Sequence, residues 1–513
     1  MAAVQYAAAA AHESDPAIFP RAAEVATEAL QPTLVEGIAE RWMQLDPKSL
    51  EARRAAGQAA LALYRVDEAA ADYRFILMNA PGGLETEFAE VETDLEATDN
   101  NFGAREVADR LAGYFPKSPA ALRLQGLSAL RADDPAAAVR GLSGALALMP
   151  GGAGDAQNAR HDLSLTLARA KILAGDVDGP LTQARALLSQ EKNSVNRFDY
   201  AILLMTALQE SEAEEQLDIL ARDKDFEPVA VRLVGLIEFG QGHLDAAAAR
   251  FTQLVKAGKF LDDAFYYLAL IADRNEDPEK ALRLYAQVQK GENVVTALLR
   301  AAALLQKHNA QNAAGELMDR LLEDEPQRAP EILTARARMY NESHEAPKAF
   351  AVLDEAVGNY PDNMELRYAV ASMYEDQGEV SSALRELSRI VKLRPNDPAA
   401  LNALGFTLAD HDKRLSQARK LIERAHAAAP KNAAILDSMG WVTFRQGRAA
   451  DALPYLTEAY TDDRSADIAA HLGEVLWQLG QHDKAESIWA EAALIDADNH
   501  LLKSTRKRLH PPI

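Results

Sequence analysis

His344-Glu345 is the pair nearest to a zinc-hydrolase helix. There a second histidine, four residues after the first, completes the ligand set while the glutamate activates water. Here Ala346, Pro347 and Lys348 follow, so that second ligand is missing. Gly141-Leu142-Ser143-Gly144 approaches a nucleophile elbow, but Ala145 stands where the closing glycine is required. Gly151-Gly152-Ala153-Gly154 has the glycines of a phosphate cradle without the strand–helix context that positions one. The eleven histidines are scattered, and none pairs with another at metal spacing. His471, on an apolar-patterned helix, is read as packing rather than as a ligand. Cysteine is absent, which removes disulfides, thiolate zinc, iron–sulfur clusters and cysteine nucleophiles together. The carboxylates number 77, a density typical of solvated helix faces. The expectation is no enzyme, no metal and no organic cofactor.

What must be positioned is therefore a surface. The 513 residues are 26% charged, 48% hydrophobic and only 6% aromatic, with alanine and leucine prominent. That favours helices over sheets. A formal charge of −22 opposes phosphate backbones and anionic lipid, so nucleic acid is excluded as a partner. No run of eighteen strongly apolar residues offers a membrane span. Residues 1–16 are alanine-rich but have no basic n-region and no leucine-rich h-region, and are read as a helix, not a signal peptide.

The chain repeats itself. Segments 398–430, 433–464 and 467–497 each place a Leu or Met before a glycine, at Leu404-Gly405, Met439-Gly440 and Leu472-Gly473. An alanine follows about twelve residues later (Ala418, Ala452, Ala485), then a large apolar residue (Ile422, Leu456, Trp489), then alanine again (Ala425, Ala459, Ala492). Closing residues fall at Pro47, Pro81, Pro116 and Pro150, and again at Asn293, Pro326, Pro361, Pro395, Pro430, Arg464 and Ala497, always 33 to 35 apart. This pattern resembles the tetratricopeptide repeat, a helix–turn–helix unit of about 34 residues. A small residue in the first helix (Gly57, Gly126, Gly235, Ala337, Ala371, Gly405, Gly440) admits the second helix closely. Apolar residues at three- and four-residue spacing make one buried stripe per helix. A single pair cannot bury that stripe, so neighbours stack. The expected fold is all-α, a right-handed solenoid of about fourteen helix pairs.

Four stretches are distinguished: N-terminal repeats over 1–150, irregular repeats over 151–227, regular repeats over 228–497, and a basic cap over 498–513. The loop at 150–155 and the stretches 175–180 and 190–196 read as flexible or altered turns. The helix after Pro81 is unusually acidic; these irregular units are either drifted spacers or changes in superhelical path. Residues 3–13, closed by Asp15-Pro16, read as a second helix without its first, so either the start was removed or an apolar face docks on something. Lys503, Arg506, Lys507 and Arg508 read as a capping helix with cations at its C-terminus, the alternative being a lipid contact. In such arrays the first helices line the concave side, and stepping along them gives candidate binding positions. They are Tyr266, Arg338, Tyr368, Asn402, Phe406, Asp437, Trp441, Phe444, Glu474 and Trp477. Trp, Tyr and Arg are enriched at hot spots. The competing reading packs Trp441 and Phe444 between neighbouring repeats.

The last three repeats, and residues 6–26, also resemble a proteobacterial family of large tetratricopeptide outer-membrane lipoproteins of the LbcA type. Members begin with a signal peptide and a lipid-bearing cysteine, neither of which stands in this sequence. The resemblance implies a periplasmic, outer-membrane-tethered adaptor that binds a carboxyl-terminal processing protease and presents substrates such as peptidoglycan hydrolases. On that reading the N-terminal part takes the protease and the groove around Tyr368, Asn402, Trp441, Phe444 and Trp477 takes the substrate. Two other functions are open: an assembly factor for polysaccharide export or pilus biogenesis, and an enzyme hidden in the irregular middle. Self-association through the N-terminal face is a further expectation.

Overall fold

Among the described residues Ala2–His12 is the first α-helix and His500–Leu509 the last; between them stand twenty-eight further α-helices in fourteen consecutive pairs. The computed structural model describes every residue except 1, 13, 14, 16, 80, 150–153, 497, 498 and 510–513. Pro16, Pro150, Gly151, Gly152, Ala153 and Ala497 thus lie outside the described residues. Among the described residues there is no strand. The helices divide into two packed units, 1–62 with 66–356, and 63–65 with 357–513. No helix among the described residues is long and apolar enough to cross a membrane.

Each pair is built by the same local devices. Ser118, Asn363, Asp397 and Asn432 stand at N-caps, where their side chains accept backbone N–H groups of the first turn. First helices end in a left-handed residue: Leu30, Tyr64, Asp133, Gly175, Leu208, Gly242, Glu276, Asn309, His344, Gly378, Asp412, Gly447 and Gly480. This turn serves thirteen of the fourteen pairs; only Leu84–Glu96 and Asn101–Tyr114 are joined otherwise. The residue after it donates its N–H to the carbonyl five positions back, as Gln209 does to Leu204 and Gln481 to Leu476. That is the Schellman closure of a helix end.

Leu208 pays for this conformation with φ +57° and leaves its side chain 81% exposed. A left-handed L-residue costs roughly 1–2 kcal/mol, against 0.5–1 kcal/mol of extra unfolded-state entropy for glycine. Leu208→Gly is therefore expected to stabilise the chain by about 0.5–1 kcal/mol. A chemical denaturation midpoint at or below that of the parent would contradict this.

The small residues of the first helices do what their spacing predicts. An added Cβ on Gly405 would stand 2.6 Å from Ile422, on Gly440 2.5 Å from Leu456, and on Gly126 2.6 Å from Leu142. On Gly473 it would overlap the fully buried Trp489 indole. Each large residue sits sixteen or seventeen positions after its glycine, on the second helix of the same pair.

Residues 154–227 form helix pairs although their sequence is degenerate. The pairs are Asp155–Leu173 with Asp178–Gln190, the longer helix packing chiefly on the preceding Pro135–Leu148, and Ser194–Thr206 with Glu210–Leu220. Gly175 supplies the usual left-handed turn and Asn193 caps the next helix, so neither turn is altered. The lengthened first helix, nineteen residues, is what departs from the period. The acidic helix Leu84–Glu96 is accounted for by its neighbours. Arg54 pairs with Glu87 and with Asp94 at 2.7 Å, Arg123 with Glu92 at 2.8 Å, and Arg131 with Glu96 at 2.9 Å. Four of its six carboxylates are thus matched to the flanking first helices.

Ala2–His12 packs on Ile18–Glu28 and Pro32–Leu45, burying Ala3 and Ala10 while Val4 and Tyr6 stay exposed. At the other end His500–Leu509 packs on the first helix Ala466–Gln478, in the place of a further first helix. Arg508 donates to Glu474 at 2.5 Å and Arg506 lies 3.6 Å from Glu486. Arg506 and Arg508 are thus engaged by the protein itself.

Candidate protein-binding surface

In the second unit the first helices Met364–Asp376, Pro398–Asp410, Ala433–Arg445 and Ala466–Gln478 carry eight of the ten candidate positions. Tyr368, Asn402, Phe406, Phe444 and Trp477 are half-buried. Asp437, Trp441 and Glu474 are buried, which corrects their placing on an open groove. The reason is a cluster built between neighbouring repeats. The Trp441 ring stacks on the His471 ring at 4.1 Å between centroids, and Phe406 and Phe444 flank these two at 5.8 and 5.4 Å. The Trp441 Nε1 donates to Asp410 at 3.0 Å, and the Arg445 guanidinium lies 5.4 Å from the Trp441 ring centre while also pairing with Asp412. Trp441 is thus an inter-repeat anchor, and Phe406 and Phe444 are what the cluster leaves partly open.

His471 is the chemical centre of this cluster, and reading it as plain packing understates it. Its Nδ1 meets both carboxylate oxygens of Asp437 at 2.9 Å, while Nε2 is buried without a protein partner. Burial pushes the imidazole pKa down. The Asp437 charge and hydrogen bond, with the Asp410 and Glu474 carboxylates, outweigh burial and hold it above its ordinary value. Asp437 and His471 are 34 residues apart, so they occupy one position in consecutive repeats. Glu474 and Arg508 show the same separation. Opposite charges one period apart were the available signal. Trp477 stacks on His482 at 4.2 Å and on Trp489 at 5.7 Å. Burial raises the Tyr368 phenol well above its usual range.

In the first unit Tyr266 is buried against the rings of Tyr267 and Tyr285, which corrects its placing on the groove, whereas Arg338 is exposed. The same unit holds an open polar cavity of about 640 Å³ at the ends of three consecutive first helices. No sequence motif marks it: most of its lining comes from Asn293–Lys307 and the turn that follows, and the neighbouring repeats add only Asp273, Glu342 and Ser343. Among the described residues no three His, Asp or Glu converge to hold a metal.

Tetratricopeptide repeat family models match residues 341–405 and 443–509, and a second such model matches 235–293. The TPR repeat-containing protein PA4667 of Pseudomonas aeruginosa is 34% identical over 214 residues, 42% of this chain and 36% of that protein. The human aspartyl/asparaginyl beta-hydroxylase is 24% identical over 41% of this chain and 30% of its own length, which does not establish catalysis here. The chain thus spans about a third of the length of the curated relatives it matches. Among solved structures, the thermophilic TPR protein TTC0263 of Thermus thermophilus is 19% identical, with a TM-score of 0.31 over 35% of this chain and 98% of that one. The structure of Naa15/Naa10 bound to HypK-THB covers 96% of this chain and 78% of that one at 14% identity and a TM-score of 0.31. The capped, glycine-notched helix pairs and the matched family models agree: the described residues form an all-α array of helix–turn–helix pairs that carries tetratricopeptide repeats over 235–293, 341–405 and 443–509.

Proposed function

We propose that the chain is a non-catalytic periplasmic adaptor, tethered at the outer membrane, that holds a carboxyl-terminal processing protease and presents substrates such as peptidoglycan hydrolases to it. The observation that carries this reading is the run of fourteen helix pairs, which lays out first-helix surface in two separately packed units. Two proteins can then be held at once, and tethering replaces a bimolecular encounter with an effective concentration that reaches the millimolar range. The likeness of the last three repeats to protease-binding lipoproteins supports the choice of partners. Phe406, Phe444 and Trp477, half-buried aromatics on the first helices of the second unit, are the side chains offered to substrate.

The purified chain mixed with a carboxyl-terminal processing protease is expected to co-elute with it in size-exclusion chromatography. A protease that elutes at its own volume at micromolar concentrations of both would contradict the adaptor reading. Co-purification of the chain with a polysaccharide-export or pilus component in its place would favour the assembly-factor alternative.

A further inference from the structure

In an antiparallel pair the first helix starts, and the second ends, at the same edge. Stacked pairs therefore have one edge of turns between pairs and another of turns within pairs. In the first unit the two edges differ in charge. The turns between pairs carry Lys48, Lys117, Lys192, Lys224, Lys259 and Lys290, all exposed and, among the described residues, in no ion pair. The turns within pairs carry no lysine; Asp99, Asp133, Asp134, Asp176, Glu276 and Asp277 stand there instead. Exposed apolar side chains follow the lysines. Nine of the thirteen large ones that the described residues of this unit expose stand at the edge of the turns between pairs, one or two at each of seven consecutive junctions from Leu45 to Leu261.

They are densest over the last three of these junctions. Leu187 and Val195 flank Lys192, Ile219 precedes Lys224, and Phe260 and Leu261 follow Lys259; these five apolar side chains are 40–49% exposed. Phe260 is held out in a left-handed conformation, φ +46°, that glycine or asparagine would adopt at less cost. The Arg232 guanidinium, itself paired with Asp263, lies 5.5 Å from its ring centre. Nearby carboxylates are turned to other groups. Asp223 accepts the Ser194 hydroxyl and the Asp225 N–H, and Asp262 accepts the N–H groups of Gln289 and Lys290 at 2.7 and 2.9 Å. Lys192, Arg222, Lys224 and Lys259 are thus exposed at these turns, where Glu191 and Asp225 are the carboxylates that remain.

We infer that this edge rests on an anionic membrane surface, with Phe260 and Leu261 entering the interfacial layer and Lys192, Lys224 and Lys259 meeting lipid phosphate. Interfacial binding grows with the apolar area buried and with the cations brought to anionic headgroups. Lysine suits this place because its stem lies along the apolar layer while the ammonium stays at headgroup level. A protein partner fits less well. Protein interfaces close around an apolar core depleted in lysine, whereas here the apolar tips are spread over three junctions and a lysine accompanies them at each. The net charge of −22 does not forbid the contact. The acidic turns lie a helix length away, about 20 Å, and charges are screened over about 8 Å at physiological salt. The inference goes beyond the adaptor reading, since it concerns the chain's own contact with lipid and not an anchor.

The test is co-sedimentation of the full chain with large unilamellar vesicles, either of phosphatidylcholine alone or with a quarter of it replaced by phosphatidylglycerol. The anionic vesicles are expected to bind the chain about tenfold more tightly at low salt, with the preference shrinking as salt rises. Lys192→Gln, Lys224→Gln and Lys259→Gln combined should remove most of that preference. Phe260→Asn, which suits the left-handed turn and removes the ring, should weaken binding to both kinds of vesicle by about fivefold. Lys280→Gln, Lys307→Gln and Lys348→Gln combined take the same charge from exposed helix ends at the other edge and should bind like the parent. Helicity and melting temperature should hold in all three variants. A chain that stays in the supernatant with both vesicles, or equal losses in the two triple variants, overturns the inference. A dimer in size-exclusion chromatography that Phe260→Asn dissociates overturns it too, assigning the edge to a second copy. No protease is present in this assay, so its failure and a failure of protease association are separate results.

Discussion

Asp437→Ala is expected to destabilise the C-terminal repeats by about 3–5 kcal/mol, the cost of leaving a buried charged partner unmatched. Asp437 is 7% exposed and His471 2%, and both carboxylate oxygens face Nδ1. His471→Phe should cost about as much, because the ring fills the space under Trp441 but leaves the buried Asp437 carboxylate without its partner. Asp437→Leu combined with His471→Phe should recover much of the loss, since a matched apolar pair replaces a matched ionic one. Three of the four tryptophans, Trp441, Trp477 and Trp489, lie in the last two pairs, so tryptophan fluorescence in a denaturant series reports on this region. The pH dependence has a definite sign. A histidine raised in the folded state contributes fully below its unfolded pKa of about 6.5 and loses that contribution as pH rises through the folded value. The fluorescence midpoint of the parent should therefore fall from pH 6 upward, more steeply than that of His471→Phe. Asp410, Glu474 with its partner Arg508, and Arg445 beside Trp441 complete the charged surroundings and are unchanged in both proteins. Identical pH profiles would remove His471 as the titrating group.

Gly473→Ala is expected to cost about 1–3 kcal/mol although alanine is the better helix former by 0.5–1 kcal/mol. The new Cβ would meet the Trp489 indole, which is fully buried and has no room to turn away. Gly440→Ala should behave alike against Leu456, with the Ala452 carbonyl 3.3 Å behind it. Gly37→Ala serves as the control, since nothing lies within 4 Å of its added Cβ, and it should be neutral or stabilising. Pairing Gly473→Ala with Trp489→Leu should cost less than the sum of the two single changes. Additive losses would show that glycine and tryptophan do not share this contact.

These glycines show why the fold was readable. A Gly or Ala facing a large residue sixteen positions later repeats through the chain, and so does the residue that closes each first helix. That residue is glycine at 175, 242, 378, 447 and 480, but Leu, Tyr, Asp, Glu, Asn or His at 30, 64, 133, 208, 276, 309, 344 and 412, so eight of the thirteen turns carry no glycine to announce them. The middle stretch looked irregular because its residue types drifted while its capping and turn geometry did not. The binding surface was less legible. Trp441 was placed on the groove by counting along its own helix, but its burial is decided by His471 and Asp410 on the two neighbouring first helices. Pairs such as Asp437 with His471, Arg54 with Glu87 and Glu92 with Arg123 lie 31 to 34 residues apart. They emerge only when the sequence is compared with itself at one repeat of displacement. The cavity at Arg300 and Lys307 is likewise marked by no motif.

Whether one chain holds two proteins together is tested most directly by the dose response of proteolysis. Protease and a peptidoglycan hydrolase are kept at fixed, sub-saturating concentrations while the full chain is titrated and the initial cleavage rate is followed. A bivalent scaffold predicts a rate that climbs about tenfold or more, peaks, and then falls when excess scaffold places the two partners on different molecules. A rate that stays at the protease-alone value, or that rises to a plateau without falling at large excess, contradicts the scaffold account.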